Sequence, residues 1–452
     1  MVNLEKHVKL LNQALLKFTR PDWRRDPELA IVDTILEQHP EFLTIIATDL
    51  KGNGSEKQFG RKDSPTVEQV MRAAIFKELK GLGYRELEYA QADSRVCGVF
   101  IKLDERKPFS FQVWQKYISL IKSENLQKLI VEINRLAINE GLEDLERVRS
   151  DATVIESNIH HPTNNALVWD CIKEAHRLLV QLAGKEGIKV RDYTKGAKTN
   201  YFKINNTKAD KRTLLFKKQL TLFTKSINQV NKFAKKKEYC SPESIVLLFT
   251  MKELLPLMRQ VYQMTERKEI NGEKVPNDEK IFSIYERHTD IIVKGAREVE
   301  FGHKVVLTDC KSGLILDCEV LKGNPNDTTL FIPALERVAS EYGVIPKNAT
   351  ADGGFASLAN QKMAKEKGLV NIVFNKVTRN MRNLVSSKKM ETILKKWRSG
   401  IEASISNLKR GFEISRCLWK GWEHFCSKVM WSVLGYNIRV LTKLVFNQLP
   451  ET

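Results

Sequence analysis

The chain changes from helical to strand-like character at SDATVI, residues 150–155. These residues are short or β-branched, which is typical of a strand. A second segment of this kind, NATAD at residues 348–352, is broken at once by two glycines. Groups at the carboxyl ends of strands line the ligand crevice of α/β sheets. Asp352 is therefore a candidate site residue, although an aspartate before glycines is also an ordinary turn signal. Asp151, within the first strand among apolar or β-branched neighbours, is the second candidate.

Further segments extend this into an α/β pattern. KVVLT at 304–308 and GLILDCEV at 313–320 flank a CKSG turn, and together they predict a hairpin. A helix is predicted over 327–342 and a strand over 369–374, and the chain is predicted to be helical from about 389. A long helical stretch is predicted from about 167 to 262, and strand character resumes at Ile281. Apart from that stretch, these segments predict a mixed sheet flanked by helices, which is an α/β fold.

The first 145 residues are predicted to be helical. Thr66 and Gln69 have capping-box spacing, Gly81 ends that helix, and further helices are expected near Tyr84 and Ser110. Short helices joined by tight turns suit a helix-turn-helix DNA-binding module. A helical bundle used for dimerisation fits the same pattern equally well.

Composition favours a nucleic-acid partner. The 452 residues contain 74 lysines and arginines against 55 acids, a formal charge of +19, and cations release counterions from polyanions. A membrane surface or RNA would also attract such a chain. No apolar run reaches the ~20 residues needed to span a bilayer, and the charged amphipathic N-terminus does not resemble a signal peptide. Seven cysteines without a C-x-x-C pair argue against disulfides or a thiolate zinc site. We expect a cytoplasmic protein.

Positive charge is concentrated at residues 195–237. This segment holds thirteen basic residues, one acid and interleaved phenylalanines. Basic residues mixed with aromatics suit contact with DNA backbone and unstacked bases, whereas a solvated helix face would look the same. The candidate DNA contacts in it are Lys211, Arg212, Lys217 and Lys218.

A third carboxylate lies in WRSGIEASI, residues 397–405. On one continuous helix, Arg398, Glu402 and Lys409 would share a stripe. An i,i+4 ion pair between the first two is the simpler interpretation, worth only ~0.3–0.5 kcal/mol. Alternatively, Glu402 joins the two aspartates. Three carboxylates can hold two divalent cations about 4 Å apart for phosphodiester chemistry, so we expect their oxygens within roughly 4–8 Å of one another.

Three segments together resemble the DDE transposases of bacterial insertion sequences, most closely the heterogeneous group labelled ISNCY. They are SDATVIESNIHHPTNNALVWD around Asp151, ADGGFAS around Asp352 and RSGIEASISNLK around Glu402. The resemblance implies a ribonuclease H-like catalytic domain, with the first Asp on the first strand, the second on the fourth and the Glu on a late helix. Arg398, Glu402 and Lys409 match the family's Arg-x3-Glu-x6-Lys element. Lys395, however, occupies the position at which a related pattern has tyrosine.

The resemblance also implies an activity. It is that of an endonuclease that binds the double-stranded ends of its element and catalyses cleavage and strand transfer into target DNA with Mg²⁺ or Mn²⁺, as a homodimer in a synaptic complex. Asp151, Asp352 and Glu402 would be the catalytic metal ligands. Arg398 and Lys409 would bind phosphates, and Lys304, at the start of the family's second strand, is a further DNA-binding candidate.

The domain organisation follows from the same likeness. Residues 65–96 resemble part of the helical N-terminal region of such transposases, which favours a DNA-binding domain at residues 1–145, and residues 146–452 would form the catalytic domain. The long separation between Asp151 and Asp352 is assigned to a basic helical insertion at about 160–280.

Three other functions remain open. A ribonuclease H-like nuclease would share the triad and the metal but would not join strands. A domesticated, catalytically dead DNA-binding protein would be expected to have lost a carboxylate. A non-enzymatic nucleic-acid-binding protein would explain the charge but not the three ordered carboxylate segments.

Overall fold

The computed structural model describes residues 17, 20–50, 64–103, 108–235, 241–294, 298–377 and 380–448. Contacts divide the chain into two compact units. The first contains residues 1–157 and 302–452, and the second contains residues 158–301. Most of the charged amphipathic N-terminal segment lies outside the described residues. No helix in the described ranges is long and apolar enough to cross a membrane.

All regular elements described before residue 145 are helices. Thr66 and Gln69 form the expected reciprocal capping box, and Gly81 ends that helix with a positive φ of 63°, a conformation that costs glycine little. The helices are α1 (Pro21–Arg24), α2 (Pro27–Gln38), α3 (Glu41–Leu50), α4 (Val67–Lys80), α5 (Tyr84–Asp93), α6 (Arg95–Ile101), α7 (Phe111–Leu120) and α8 (Ser123–Asn139). Strand β1 (Arg147–Ser157) follows them.

The second unit is mainly helical and has its own apolar core, which includes Leu178, Phe223 and Met258. Its elements are α9 (Asn164–Glu186), α10 (Thr194–Asn205), α11 (Arg212–Ala234), α12 (Pro242–Thr265), a π-helical turn (Glu266–Ile270) and β2 (Asp290–Lys294). Strand structure starts at Asp290 and not at the predicted Ile281. The intervening residues form turns, in which the Ser283 hydroxyl accepts hydrogen bonds from two backbone amides.

The remaining strands are β3 (Glu298–Cys310), β4 (Ile315–Val320), β5 (Asn348–Ala351), β6 (Asn371–Phe374) and the short β7 (Arg416–Cys417). The sheet order is β2-β3-β1-β5-β6, with β4 also pairing with β3 and β7 with β1. β3 and β4 form the predicted antiparallel hairpin, while β1, β5 and β6 run parallel. This mixed α/β sheet is consistent with a ribonuclease H-like transposase.

Five helices complete the first unit: α13 (Phe331–Tyr342), α14 (Leu358–Glu366), α15 (Lys388–Arg398), α16 (Gly400–Gly411) and α17 (Trp422–Phe446). The last of them is buried along most of its length and packs against α4, α8 and β4. Inside this core, Asn437 bonds to the side chain of Asn134 on α8 and to the backbone of Ile315 on β4. The N-terminal helices and the sheet therefore share one hydrophobic core.

Candidate active site

The two candidate aspartates are neighbours across the middle of the sheet. Asp151 lies in β1, between β3 and β5. β5 runs parallel to β1 with Ala351 in register with Ser150, so Asp352, the residue that follows β5, comes beside Asp151. The side chain of Asp151 is 16% exposed and that of Asp352 is 47% exposed. One carboxylate is thus nearly enclosed while the other faces solvent.

The third carboxylate comes from the start of α16. The interpretation of residues 397–409 as one continuous helix is wrong, because the helix is interrupted at Ser399, which caps both the end of α15 and the start of α16. Arg398 is the last residue of α15, and Glu402 lies in the first turn of α16. A carboxylate in the first turn is stabilised by the helix dipole.

Arg398 brings the three carboxylates together. Its Nη2 atom donates to Oδ2 of Asp151 at 3.0 Å, and its Nη1 atom lies 3.4 Å from Oε1 of Glu402 and 3.8 Å from Oδ1 of Asp352. The last two oxygens can be no further apart than the sum of those distances, since they share one nitrogen. The Arg398 side chain is only 9% exposed, so this guanidinium is an internal partner of the carboxylates.

Burial dominates the electrostatics of Asp151. Desolvation raises the pKa of this carboxyl above its ordinary value, and the negative charge of Asp352 adds to the effect. The backbone N–H of Ala152, which donates to Oδ1 at 2.8 Å, and the charge of Arg398 act in the opposite direction. The net result is a carboxylate whose ionised form depends on a nearby cation.

The carboxylate oxygens of Asp151, Asp352 and Glu402 are the type of ligand that a divalent cation prefers. Mg²⁺ and Mn²⁺ prefer oxygen ligands, and three carboxylates contact the guanidinium of Arg398 here. Within the described ranges, however, no group of three or more His, Cys, Asp or Glu side chains is close enough to hold a metal ion. The carboxylates are arranged around the arginine, whose guanidinium is larger than a metal ion.

The other predicted DNA contacts of the first unit have partners within the protein. Lys304 is 12% exposed, and its Nζ atom donates to the carbonyl of Pro325 at 2.7 Å and to Asp327 at 2.8 Å. The Asp327 side chain in turn packs against Gly354, two residues after Asp352. Lys409 lies half-buried on α16, and its carbonyl accepts a hydrogen bond from Ser415.

The basic candidates of the second unit lie at the start of α11. Lys211, Lys217 and Lys218 are exposed. Arg212 is half-buried, and its Nε atom donates to the carbonyl of Thr207 at 2.7 Å. Three of these four cations are therefore free of burial and suited to contact a polyanion.

Sequence reasoning missed a buried ion pair beside the carboxylates. Arg149 lies two residues before Asp151 on the same strand, and its Nε and Nη2 atoms bond to the two carboxylate oxygens of Asp309 at 2.5 and 2.9 Å. The two residues are directly opposite in the β1–β3 register. A charged residue alternating with Asp151 on a buried strand was the available signal, because such a residue requires a partner.

Comparison with known protein families gives a match to part of the chain. The model of the family described as "Transposase DDE domain" matches residues 289–438. That region contains Asp352, Arg398, Glu402 and Lys409, whereas Asp151 precedes it. No curated protein and no solved structure matches the chain. The family generally uses divalent metal ions and implies DNA binding. The match supports a DDE transposase.

Proposed function

We propose that the chain is the transposase of a bacterial insertion sequence of the ISNCY-like group, and that Asp151, Asp352 and Glu402 are its catalytic carboxylates. The observation that carries the proposal is their contact with one guanidinium, that of Arg398, although they come from two strands and a helix. The match to a transposase DDE domain over two of the three supports it.

The three carboxylates would hold two Mg²⁺ or Mn²⁺ ions, which supply activation of the attacking oxygen and stabilisation of the leaving one when bound. Arg398 keeps the carboxylates close to one another by balancing their charge. When its bond to Asp151 is released, the planar fork can donate to phosphate oxygens of the DNA. Lys409 and Lys304 are proposed as further phosphate contacts.

DNA binding is proposed to involve two further regions. The helices of residues 1–145 would act as a helix-turn-helix-like module on the ends of the element. The exposed cations at the start of α11 would bind DNA backbone. A homodimer would bring two ends together in a synaptic complex, where cleavage and strand transfer take place.

The test is metal-dependent nicking and joining of a labelled duplex that carries the inverted repeat flanking the coding sequence. The wild type should nick the end and join it to target DNA with Mg²⁺ or Mn²⁺. Asp151→Asn and Asp352→Asn should each bind the duplex but lose both reactions. If the aspartate variants nick as well as the wild type, the proposed site is wrong. Nicking without joining would favour the ribonuclease H-like nuclease.

A further inference from the structure

The Arg149–Asp309 pair is almost completely buried. The side chain of Arg149 is 8% exposed and that of Asp309 is 0% exposed. Both oxygens of Asp309 are engaged, because Oδ2 also accepts a hydrogen bond from the hydroxyl of Ser404 at 2.8 Å.

The same guanidinium reaches the junction of α15 and α16. Its Nη1 atom donates to the carbonyl of Trp397 at 2.5 Å, and its Cζ atom lies 4.7 Å from the centre of the Trp397 ring. A methyl group placed on Gly400 would lie 2.2 Å from Nη1. Only glycine thus permits the guanidinium to lie against the backbone at this point.

These contacts explain why the helix is interrupted at Ser399. Helices bend where a side chain inserts into the i→i−4 hydrogen-bond ladder. Here Arg149 donates to the carbonyl of Trp397, which also accepts the backbone N–H of Ser399. The ion pair contacts the residues immediately around the two site residues: Trp397 precedes Arg398, Gly400 lies between Arg398 and Glu402, and Ser404 follows Glu402 by two positions.

We propose that Arg149 and Asp309 are positioning residues, which hold the junction of α15 and α16 against β1 and so direct Arg398 and Glu402 towards Asp151. This inference rests on the proposed function. Buried ion pairs add little to stability compared with apolar residues of similar volume, so their directional contacts are the stronger reason for placing this pair here. Arg149 and Asp151 are on one face of β1, since side chains alternate along a strand.

The experiment replaces the whole pair so that no unpaired charge is buried. Arg149→Met/Asp309→Leu removes the contacts to Trp397 and Ser404 but keeps an apolar core. The matched control is Arg337→Met/Asp317→Leu. That pair has the same two-bond geometry, with Nε–Oδ1 and Nη2–Oδ2 both at 2.8 Å, and joins β4 to α13.

Three quantities are measured on each full-length variant: the melting temperature, the nicking rate of the labelled end, and Mn²⁺ affinity from the electron paramagnetic resonance signal of free Mn²⁺. The Arg149/Asp309 variant should melt close to the wild type, nick at least tenfold more slowly and need at least tenfold more Mn²⁺ for half-saturation. The control should retain both the nicking rate and the Mn²⁺ affinity. A purely structural role would shift the melting temperature and leave the Mn²⁺ affinity of the folded protein unchanged.

If the Arg149/Asp309 variant does not fold, Ser404→Ala tests the same contact more gently, since it removes one hydrogen bond and leaves the ion pair in place. It should weaken Mn²⁺ binding severalfold while lowering the melting temperature by only about a few degrees. Wild-type Mn²⁺ affinity and nicking in the folded variant would overturn the inference. Glu402→Gln distinguishes failure of the positioning role from failure of the proposed function. If the Glu402→Gln variant also nicks normally, the proposed triad is wrong. If that variant is inactive, only the positioning role of Arg149 and Asp309 is wrong.

Discussion

The Nη2 atom of Arg398 lies 3.0 Å from Oδ2 of Asp151, a residue 247 positions earlier in the chain. This contact is shorter than the 3.4 Å contact between Arg398 and Glu402, its neighbour on the next helix. An ordinary i,i+4 pair would leave the arginine at the surface, but its side chain is nearly buried. The arginine therefore belongs to a cluster that joins the helices to the sheet.

Glu402→Gln separates a metal ligand from a partner of Arg398. The Glu402 side chain is 66% exposed, so loss of its ion pair should cost less than about 1 kcal/mol of stability. If it ligates metal, nicking of the labelled end should fall by orders of magnitude while gel-shift binding survives. Glu366→Gln is the matched control, because Glu366 is 62% exposed and forms an i,i+4 pair with Lys362. Robust nicking by Glu402→Gln would leave only two of the proposed ligands.

Arg398→Ala should make the stability of the protein depend on metal. Without the guanidinium, the enclosed carboxylate of Asp151 loses its charged hydrogen-bond donor, at a cost of about 1–3 kcal/mol. Added Mn²⁺ supplies positive charge to the same carboxylates, so it should raise the melting temperature of the variant more than that of the wild type. Thermal denaturation with and without Mn²⁺ measures the difference. Equal shifts would mean that Arg398 and the metal do not share these carboxylates.

Acidification should release Mn²⁺ at a higher pH than an ordinary aspartate would allow. The pKa of Asp151 is raised, mainly by burial, and a protonated carboxyl is a poor metal ligand. Acidification has the opposite effect on the free energy of unfolding of the metal-free protein. Because the pKa of Asp151 is raised in the folded state, its contribution to stability is fully present below the pKa of the unfolded chain. That contribution is lost as the pH rises through the pKa of the folded state.

Arg398→Ala should change the pH at which Mn²⁺ is released. Since Arg398 lowers the pKa of Asp151, its removal should move the midpoint of Mn²⁺ release to still higher pH. The midpoint is read from free Mn²⁺ during a pH titration of each protein. A midpoint at the pKa of a free aspartate, unaffected by the variant, would contradict the role of Asp151.

The basic start of α11 should contribute to the salt dependence of DNA binding. Lys217→Ala/Lys218→Ala removes two exposed cations, and each lost phosphate contact should reduce the slope of log K against log salt by about 0.9. Lys362→Ala/Lys365→Ala removes the same charge from two exposed lysines of α14, outside the regions proposed to bind DNA, and should leave the slope unchanged. Equal slopes in all three proteins would make this segment a solvated helix face.

Several structural elements could be predicted from short stretches of the sequence. The capping box at Thr66 and the hairpin around residues 310–313 depend on neighbouring residues, so composition and spacing revealed them. Asp151 and Asp352 could be placed at strands for the same reason.

Contacts set by the fold could not be read in this way. Arg149 and Asp309 are 160 positions apart, and only the β1–β3 register places them opposite each other. The interruption at Ser399 depends on that distant arginine, so a helical wheel drawn from residues 397–409 alone treated two helices as one. Lys304 also has a partner, Asp327, that no local pattern indicates.

The burial of α17 has a consequence for the order of events during synthesis. Its side chains complete the core formed by the helices before residue 145 and by the sheet. A ribosome adds about 5–20 residues per second, so the early helices emerge on the order of tens of seconds before residues 422–446 do. During that interval their apolar faces lack a principal packing partner, and a nascent chain in this state is a substrate for chaperones and proteases.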